Sequence, residues 1–459
     1  MLQIIPAAFE RVIVGSKIYT VSQHYHISTM KASFSLNIIF CFLFCFTSLL
    51  NAQENLIFSK QELVSDFEYL YSSMEENHPD LFFHLSESDY QNHKIKVLNS
   101  IQDSMSIENF YLQIATFVAS IKDGHTNINT PIASRVQYVN KGGLAFPLRV
   151  NIADDRLFVS VDLSIEQHVP VGVELLSIND IPVSEILQRM FELKGSEINN
   201  EIKYWEIGNY FSTLLWYIYR FENDYNLLIS ENDEKKSIHL QGITQTQFSE
   251  MMTLKEKSIN IINPYDFRID SLQNVAFLDI RSFYDTEGLS DFFKNSFQKI
   301  AFYDVDYLVI DVCGNGGGRS ASVDSLMNYL TDKPYKQYSK IELKVSETVK
   351  ILYKERNPFI YNEIKELPNG QIYIYDIPYT VPSEKNTNFS GKVIIYTDSK
   401  TYSAGSTFVS LIECLQRGVV LGHTGSPKIY FGDFLQLTLP KTQIEYTVSV
   451  KRFYDCEIY

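Results

Sequence analysis

The chain has 459 residues, 45% of them hydrophobic and 14% aromatic, with a formal charge of −15. That length exceeds one small core and implies two or three domains, and the apolar content excludes a disordered chain. The acidic balance excludes nucleic acid and anionic membrane surfaces as electrostatic partners and leaves neutral or basic peptides.

In chain order, residues 1–52 form an extension ending in an apolar run, Leu36 to Leu50, preceded by Lys31 and followed by Asn51-Ala52-Gln53. A basic flank, a short apolar stretch and a small residue before a polar start describe a secretory signal peptide cut after Ala52. Met30 is its natural first residue, so the segment before it is expected to be either a mis-chosen start or a dispensable extension. The run is marginal in length for spanning a bilayer, so a membrane contact arises only if it stays uncleaved. The expected destination is export, periplasmic or secreted.

Residues 53–130 show helical spacing, broken at His78-Pro79, and form a helical N-terminal domain. Its end carries Ile121-Lys122-Asp123-Gly124-His125-Thr126-Asn127, a turn signal after an amphipathic stretch. His125 there is either a structural residue or a base.

Residues 140–260 alternate strand-like runs, among them Leu157 to Val161 and Gly172 to Asp180. The second suits either a PDZ-like peptide-binding strand or a plain hairpin.

From about residue 270 to 459, strands alternate with helices, which predicts an α/β layered sheet. Tyr307 to Cys313 is a buried-strand pattern that breaks into Gly314-Asn315-Gly316-Gly317-Gly318. So many glycines cost chain entropy, and their use is to let backbone amides approach a ligand. The Lys-Ser/Thr of a phosphate cradle is missing, since Arg319-Ser320 follows, and an oxyanion hole is the better reading.

Val393 to Tyr396 is a further inner strand, and helical spacing runs from Thr407 to Leu415. Ser403 lies on the turn between them, as an N-cap or as a nucleophile beside outward-pointing amides. Cys313 and Cys414 fall on apolar elements and read as small buried hydrophobes. With Cys456 they make an odd number after the signal, which excludes full pairing. No Cys/His spacing suggests zinc.

Taken together, Asp123 to Thr126, Asp311 to Gly318, Ser403, Gly422 to Ser426, Tyr430 to Asp433 and Leu439-Pro440 resemble, in order, the motifs of the tail-specific (C-terminal processing) serine peptidases. The tricorn-core-like branch is the nearer match. The resemblance implies a crotonase/ClpP-like α/β peptidase core with an N-terminal helical domain and a small β-rich insert. It implies a serine peptidase without cofactor or metal, acting on peptides or unfolded proteins. Ser403 would be the nucleophile, His125 the general base, and the Gly317 and Ala404 N–H groups the oxyanion hole. Lys428 is the alternative base, by analogy with the Ser-Lys branch. No late carboxylate is marked as the orienter of His125. Cys313, Gly314 and Ser406 depart from the family pattern, and the loop after Gly422 is one residue short. A non-catalytic relative, binding peptides or apolar ligands on the same fold as the interphotoreceptor retinoid-binding group does, is the competing expectation.

Overall fold

The computed structural model describes residues 56–195, 200–258, 263–375, 377–383, 388–422 and 430–458, and two short strands near the N-terminus. Two compact units divide the chain at Asn55. In the first, Arg11–Val14 pairs antiparallel with Lys17–Thr20. The signal-peptide run and its Ala52 cleavage site lie outside the described residues, as does Lys428. Among the described residues no helix is long and apolar enough to cross a membrane.

The second unit opens with helix Lys60–Asn77, started by a reciprocal capping box between Ser59 and Glu62. It ends at His78, where Pro79 follows and helix cannot continue. Helices Glu87–Ser100 and Ile107–Ala119 pack against it through Phe67, Tyr71, Tyr90 and Phe117. The β-rich segment is a six-stranded sheet whose main path runs Glu234–Gln241, Asp224–Glu231, Glu174–Ile178, Arg156–Asp162, Leu148–Ala153. Helix Asn200–Tyr219 closes on Leu148–Ala153, with Gly208 so near that a Cβ there would lie 3.1 Å from the Val150 carbonyl oxygen. The helices and this sheet share one hydrophobic cluster, so they pack as a continuous body.

A five-stranded sheet carries the C-terminal half, in the order Tyr265–Asp270, Val275–Ile280, Tyr307–Asp311, Lys392–Thr397, Gly418–Gly422. Only the first pairing is antiparallel. Leu308, Ile310 and Ile395 are fully buried, as strands covered on both faces require. Helices Thr286–Tyr303, Ser320–Met327 and Ala404–Cys414 supply the cover.

The two central strands pair in register from Tyr307↔Lys392 to Asp311↔Tyr396. Their carboxyl ends therefore finish side by side, and the glycine run and the Ser403 turn leave the sheet as neighbours. A second, antiparallel sheet, ordered Ile372–Tyr375, Ile341–Lys344, Glu445–Phe453, Phe431–Thr438, lies alongside. The Asp123 turn is sewn to it: Asn127 exchanges backbone hydrogen bonds with Thr447, and Asn129 N–H donates to Glu445.

Cys414 differs from the expectation of a lone buried hydrophobe. It pairs with Cys456 in a disulfide across 42 positions, which leaves Cys313 as the free thiol among the described cysteines. The bond ties the end of the Ser403 helix to the C-terminal segment. A loop of that size predicts stabilisation of up to ~4 kcal/mol. Cys414→Ser, or reduction of the wild type, should lower the denaturant midpoint accordingly, and an unmoved midpoint would show that packing alone holds the helix end.

Candidate active site

Ser403 occupies the N-cap position of helix Ala404–Cys414, yet its side chain caps nothing. Its φ of 52° and ψ of −123° are strained for a residue with a Cβ, and such strain persists only where the surroundings enforce it. The enforcement is visible in the neighbouring loop. Buried Asn315 accepts from the Tyr402 N–H at its carbonyl (2.8 Å) and donates from its amide to the Ile280 carbonyl (3.0 Å). The Thr401 hydroxyl donates to the Val312 carbonyl at 2.8 Å, and the Gly314 N–H to the Asp398 carboxylate at 2.7 Å.

Gly317, at φ 103°, faces the turn directly. A Cβ on it would lie 2.6 Å from Ser403 Cβ and 3.0 Å from Ala404 N, so no other residue fits. Gly317 and Ala404 thus stand together beside Ser403. The Ala404 N–H heads the helix, where no helical carbonyl can reach it. The Gly317 N–H donates to the Asn315 side-chain oxygen at 2.9 Å. Serving an oxyanion requires that this bond be shared or released.

Upstream of the loop, Arg281 grips Asp311 through two bonds of 2.9 Å and reaches the Cys313 carbonyl at 2.6 Å. Burial opposes charge on Asp311, but Arg281 and the Cys313 N–H outweigh it and hold the carboxyl below its usual range. Burial, helped by Asp311, pushes the Cys313 thiol up to about 12. That excludes Cys313 as a thiolate nucleophile at neutral pH.

His125 is held from below by Asp123. One carboxylate oxygen accepts the His125 backbone N–H at 2.8 Å; the other accepts from the Thr126 hydroxyl and from His78 Nε2 at 3.2 Å. The Asp80 N–H donates to His78 Nδ1, which fixes the tautomer with its proton toward Asp123. Burial disfavours the Asp123 anion, yet these donors win and keep it ionised well below the ordinary range. The His125 ring stacks on Tyr402, with centroids 5.0 Å apart and planes at 22°, and its Nδ1 lies 3.1 Å from the Tyr402 hydroxyl. Gly124 makes the approach feasible, because a Cβ there would strike that hydroxyl. Burial lowers the His125 pKa, against the pull of Asp123, the Phe431 carbonyl and Asp433.

Ser403, Ala404, Gly317 and His125 are therefore brought to one locality, with Tyr402 as the link across 277 positions of sequence. Among the described residues no hydrogen bond joins Ser403 to His125, whose Nδ1 is engaged by Tyr402 instead. The late carboxylate Glu457 is spoken for elsewhere, accepting from Tyr379 and facing Lys336. The Phe431 carbonyl accepts from the His125 ring.

Reading the sequence missed Tyr402, Asn315 and His78. Tyr402 adjoins Ser403 and Asn315 sits within the glycines, so position alone could have marked both. His78 carries no local signal.

Residues 274–455 match the sequence model of Peptidase family S41. The fold is similar to that of mature CPAF complexed with lactacystin, at 13% identity and a TM-score of 0.58, covering 85% of this chain and 90% of that one. Mature CPAF alone gives 13% identity and 0.56, over 85% and 89%. The photosystem II D1 C-terminal processing protease aligns over 86% and 88% at 13% identity, with a TM-score of 0.42. No curated protein matches the chain.

Asp123 gives a test of how the histidine turn is held. Asp123→Ala strands three donors in a buried site and should cost about 3–5 kcal/mol of unfolding free energy at pH 7. A carboxyl with a depressed folded pKa contributes stability that is present above its unfolded value, about 3.9, and is lost as pH falls below it. The wild type should therefore lose its advantage over Asp123→Ala between about pH 4 and the acid limit of folding. Equal stabilities at pH 7 would mean the turn is held by the strand contacts alone.

Proposed function

We propose that this chain, whose residues 274–455 match Peptidase family S41, is a serine-type peptidase of that family, with Ser403 as its nucleophile and His125 as its general base. The observation that carries the assignment is the strained Ser403 turn, which withholds the hydroxyl from capping and sets the serine's Cβ against Gly317.

In the proposed reaction a ring nitrogen of His125 takes the Ser403 proton as Oγ bonds to the carbonyl carbon of a peptide. The oxyanion so formed is met by the N–H groups of Ala404 and Gly317, the latter turning from Asn315. Collapse breaks the C–N bond, and the leaving amine takes the proton from His125. Water, deprotonated by the same imidazole, then releases the acyl group and restores Ser403. Moving His125 from Tyr402 to Ser403 exchanges one hydrogen bond for another, a change of about 1 kcal/mol, and such bonds commonly form only with substrate in place. Burial supports the role, because it keeps the imidazole neutral and able to accept a proton.

The finer assignments follow the same line. Peptides or unfolded proteins of neutral or basic character suit an acidic protein. Export, to the periplasm or outside the cell, is supported by the apolar run from Leu36 to Leu50 and by the Cys414–Cys456 pairing, since disulfides persist in oxidising compartments. Lys428 is the alternative base. The competing reading, a non-catalytic binding protein, is favoured by one observation, the engagement of His125 by Tyr402 in place of Ser403.

A fluorophosphonate probe separates the two. The wild type should label at Ser403, and Ser403→Ala should lose both labelling and peptide turnover, by about 10⁴-fold or more. His125→Ala should lose as much, and the double variant no more, because the pair acts as a unit. Lys428→Ala should be silent; loss there with His125→Ala active would transfer the role of base. A folded wild type that does not label would leave the binding reading in place.

The pH profile is a separate check. A base must be neutral, and the lowered His125 pKa puts its protonation below the ordinary imidazole value of about 6.5. The acid limb of kcat/KM should therefore fall below pH 6.5, whereas a limb above pH 7 would rule out His125 in this environment.

A further inference from the structure

The strand Tyr265–Asp270 is an edge of the five-stranded sheet, paired among the described residues on one side only, with Val275–Ile280. The Arg281 N–H donates to the Pro264 carbonyl at 2.7 Å. Antiparallel ladders alternate, so Asp266, Arg268 and Asp270 turn their backbone groups into the sheet, while those of Tyr265, Phe267 and Ile269 point outward. Neither a proline nor a bulge interrupts the run. Such an edge is a template for another strand.

The side chains restrict which strand that is. Toward the helices, Tyr265, Phe267 and Ile269 are half-buried against the core, and Phe302, which lines the same groove, is 81% exposed. On the opposite face Asp266 stands directly across from Asp279, and Asp279 across from Asp311. Arg281 serves the last two, bonding Asp311 and lying 3.8 Å from Asp279. Among the described residues neither Asp266 nor Arg268 forms an ion pair, and the Arg268 guanidinium lies over Phe277 at 4.2 Å. Carboxylates set opposite one another repel, so the row lacks a cation on its open side.

The wanted strand presents apolar residues on one face and a cation opposite Asp266, and Tyr265–Asp270 itself meets both demands. Let two copies run antiparallel about a two-fold axis at Phe267. Tyr265 then pairs with the partner's Ile269 and Phe267 with the partner's Phe267, each pair joined by backbone hydrogen bonds. Asp266 faces the partner's Arg268, and the symmetry repeats the contact. A slip of two residues, the next register that keeps the backbone bonds, sets Asp266 against the partner's Asp266 in one direction and Arg268 against the partner's Arg268 in the other. Charge therefore selects a single register. Lys299, over Phe267 at 5.7 Å, meets its counterpart near the axis, but it is exposed and can swing into solvent.

We propose that this edge is a dimer interface, at which two copies of the chain join by antiparallel pairing of Tyr265–Asp270 into one continuous sheet.

Sedimentation of the full chain tests it. The wild type should run as a dimer. Asp266→Arg and Arg268→Asp place like charges across the axis, and each should raise the dimer dissociation constant at least ~10-fold. Mixed one to one, the two variants should dimerise with each other, because every 266–268 pair is then of opposite sign. The double variant Asp266→Arg/Arg268→Asp should dimerise alone for the same reason. A wild type that stays monomeric at ~100 µM overturns the interface. So does a dimer that both reversals leave unchanged, or one that neither the mixture nor the double variant restores. A further check needs no variant: in the wild type the amides of Tyr265, Phe267 and Ile269 should exchange with solvent more slowly as protein concentration rises. Exchange there that is independent of concentration across the monomer–dimer range also overturns it.

Discussion

The in-register pairing of Tyr307–Asp311 with Lys392–Thr397 is the constraint on which the rest depends. Parallel strands that end together deliver two loops to one place, and here those loops are a glycine run and the turn bearing Ser403. Asn315 then fixes the junction with both its backbone and its side chain, reaching Tyr402, Ile280 and Gly317 at once. A buried amide so fully used leaves the loop little freedom, which is how a strained Ser403 can be sustained without any cap. The Arg281–Asp311 pair braces the same strand end from the other side.

His125 reaches this junction by another route. Its turn is built by Asp123, which gathers His78, Thr126 and the His125 backbone, and the segment beyond the turn is hydrogen-bonded to Glu445–Phe453. The second sheet thereby carries the His125 side chain to Tyr402, beyond the carboxyl end of the central strand Lys392–Thr397. Contact is made through Tyr402, and the geometry is tight enough that a side chain at Gly124 would have to displace the Tyr402 ring end. The same apolar enclosure that positions the imidazole lowers its proton affinity, so placement and protonation state have one cause.

Much of this was legible in the sequence, for identifiable reasons. The strand runs Tyr307 to Val312 and Val393 to Tyr396 are continuous apolar stretches, the pattern that two-sided burial imposes, and the glycines after the first announce a close approach. Ser403 and His125 stood in turns at element ends. What could not be read were contacts between segments remote in sequence. The disulfide partner of Cys414, the His78 support of Asp123 and the engagement of His125 by Tyr402 depend on tertiary placement, and no periodicity encodes them. The Phe431 carbonyl on the His125 ring was invisible for a different reason: every residue has a carbonyl, so none stands out.

That carbonyl also bears on what kind of base His125 can be. A carboxylate partner favours the imidazolium and raises the pKa, whereas a neutral carbonyl orients the ring with a weaker pull. Here burial outweighs Asp123, Phe431 and Asp433 together, leaving the imidazole poised below its usual value. Such a base accepts a proton less avidly, and the transition state then leans more heavily on the stabilisation of negative charge at the other end of the reacting bond. In the proposed reaction the Ser403 turn would meet that demand. A helix N-terminus and a glycine with no Cβ stand beside the serine, so on that assignment the weight of catalysis would fall on backbone amides and less on the strength of the base.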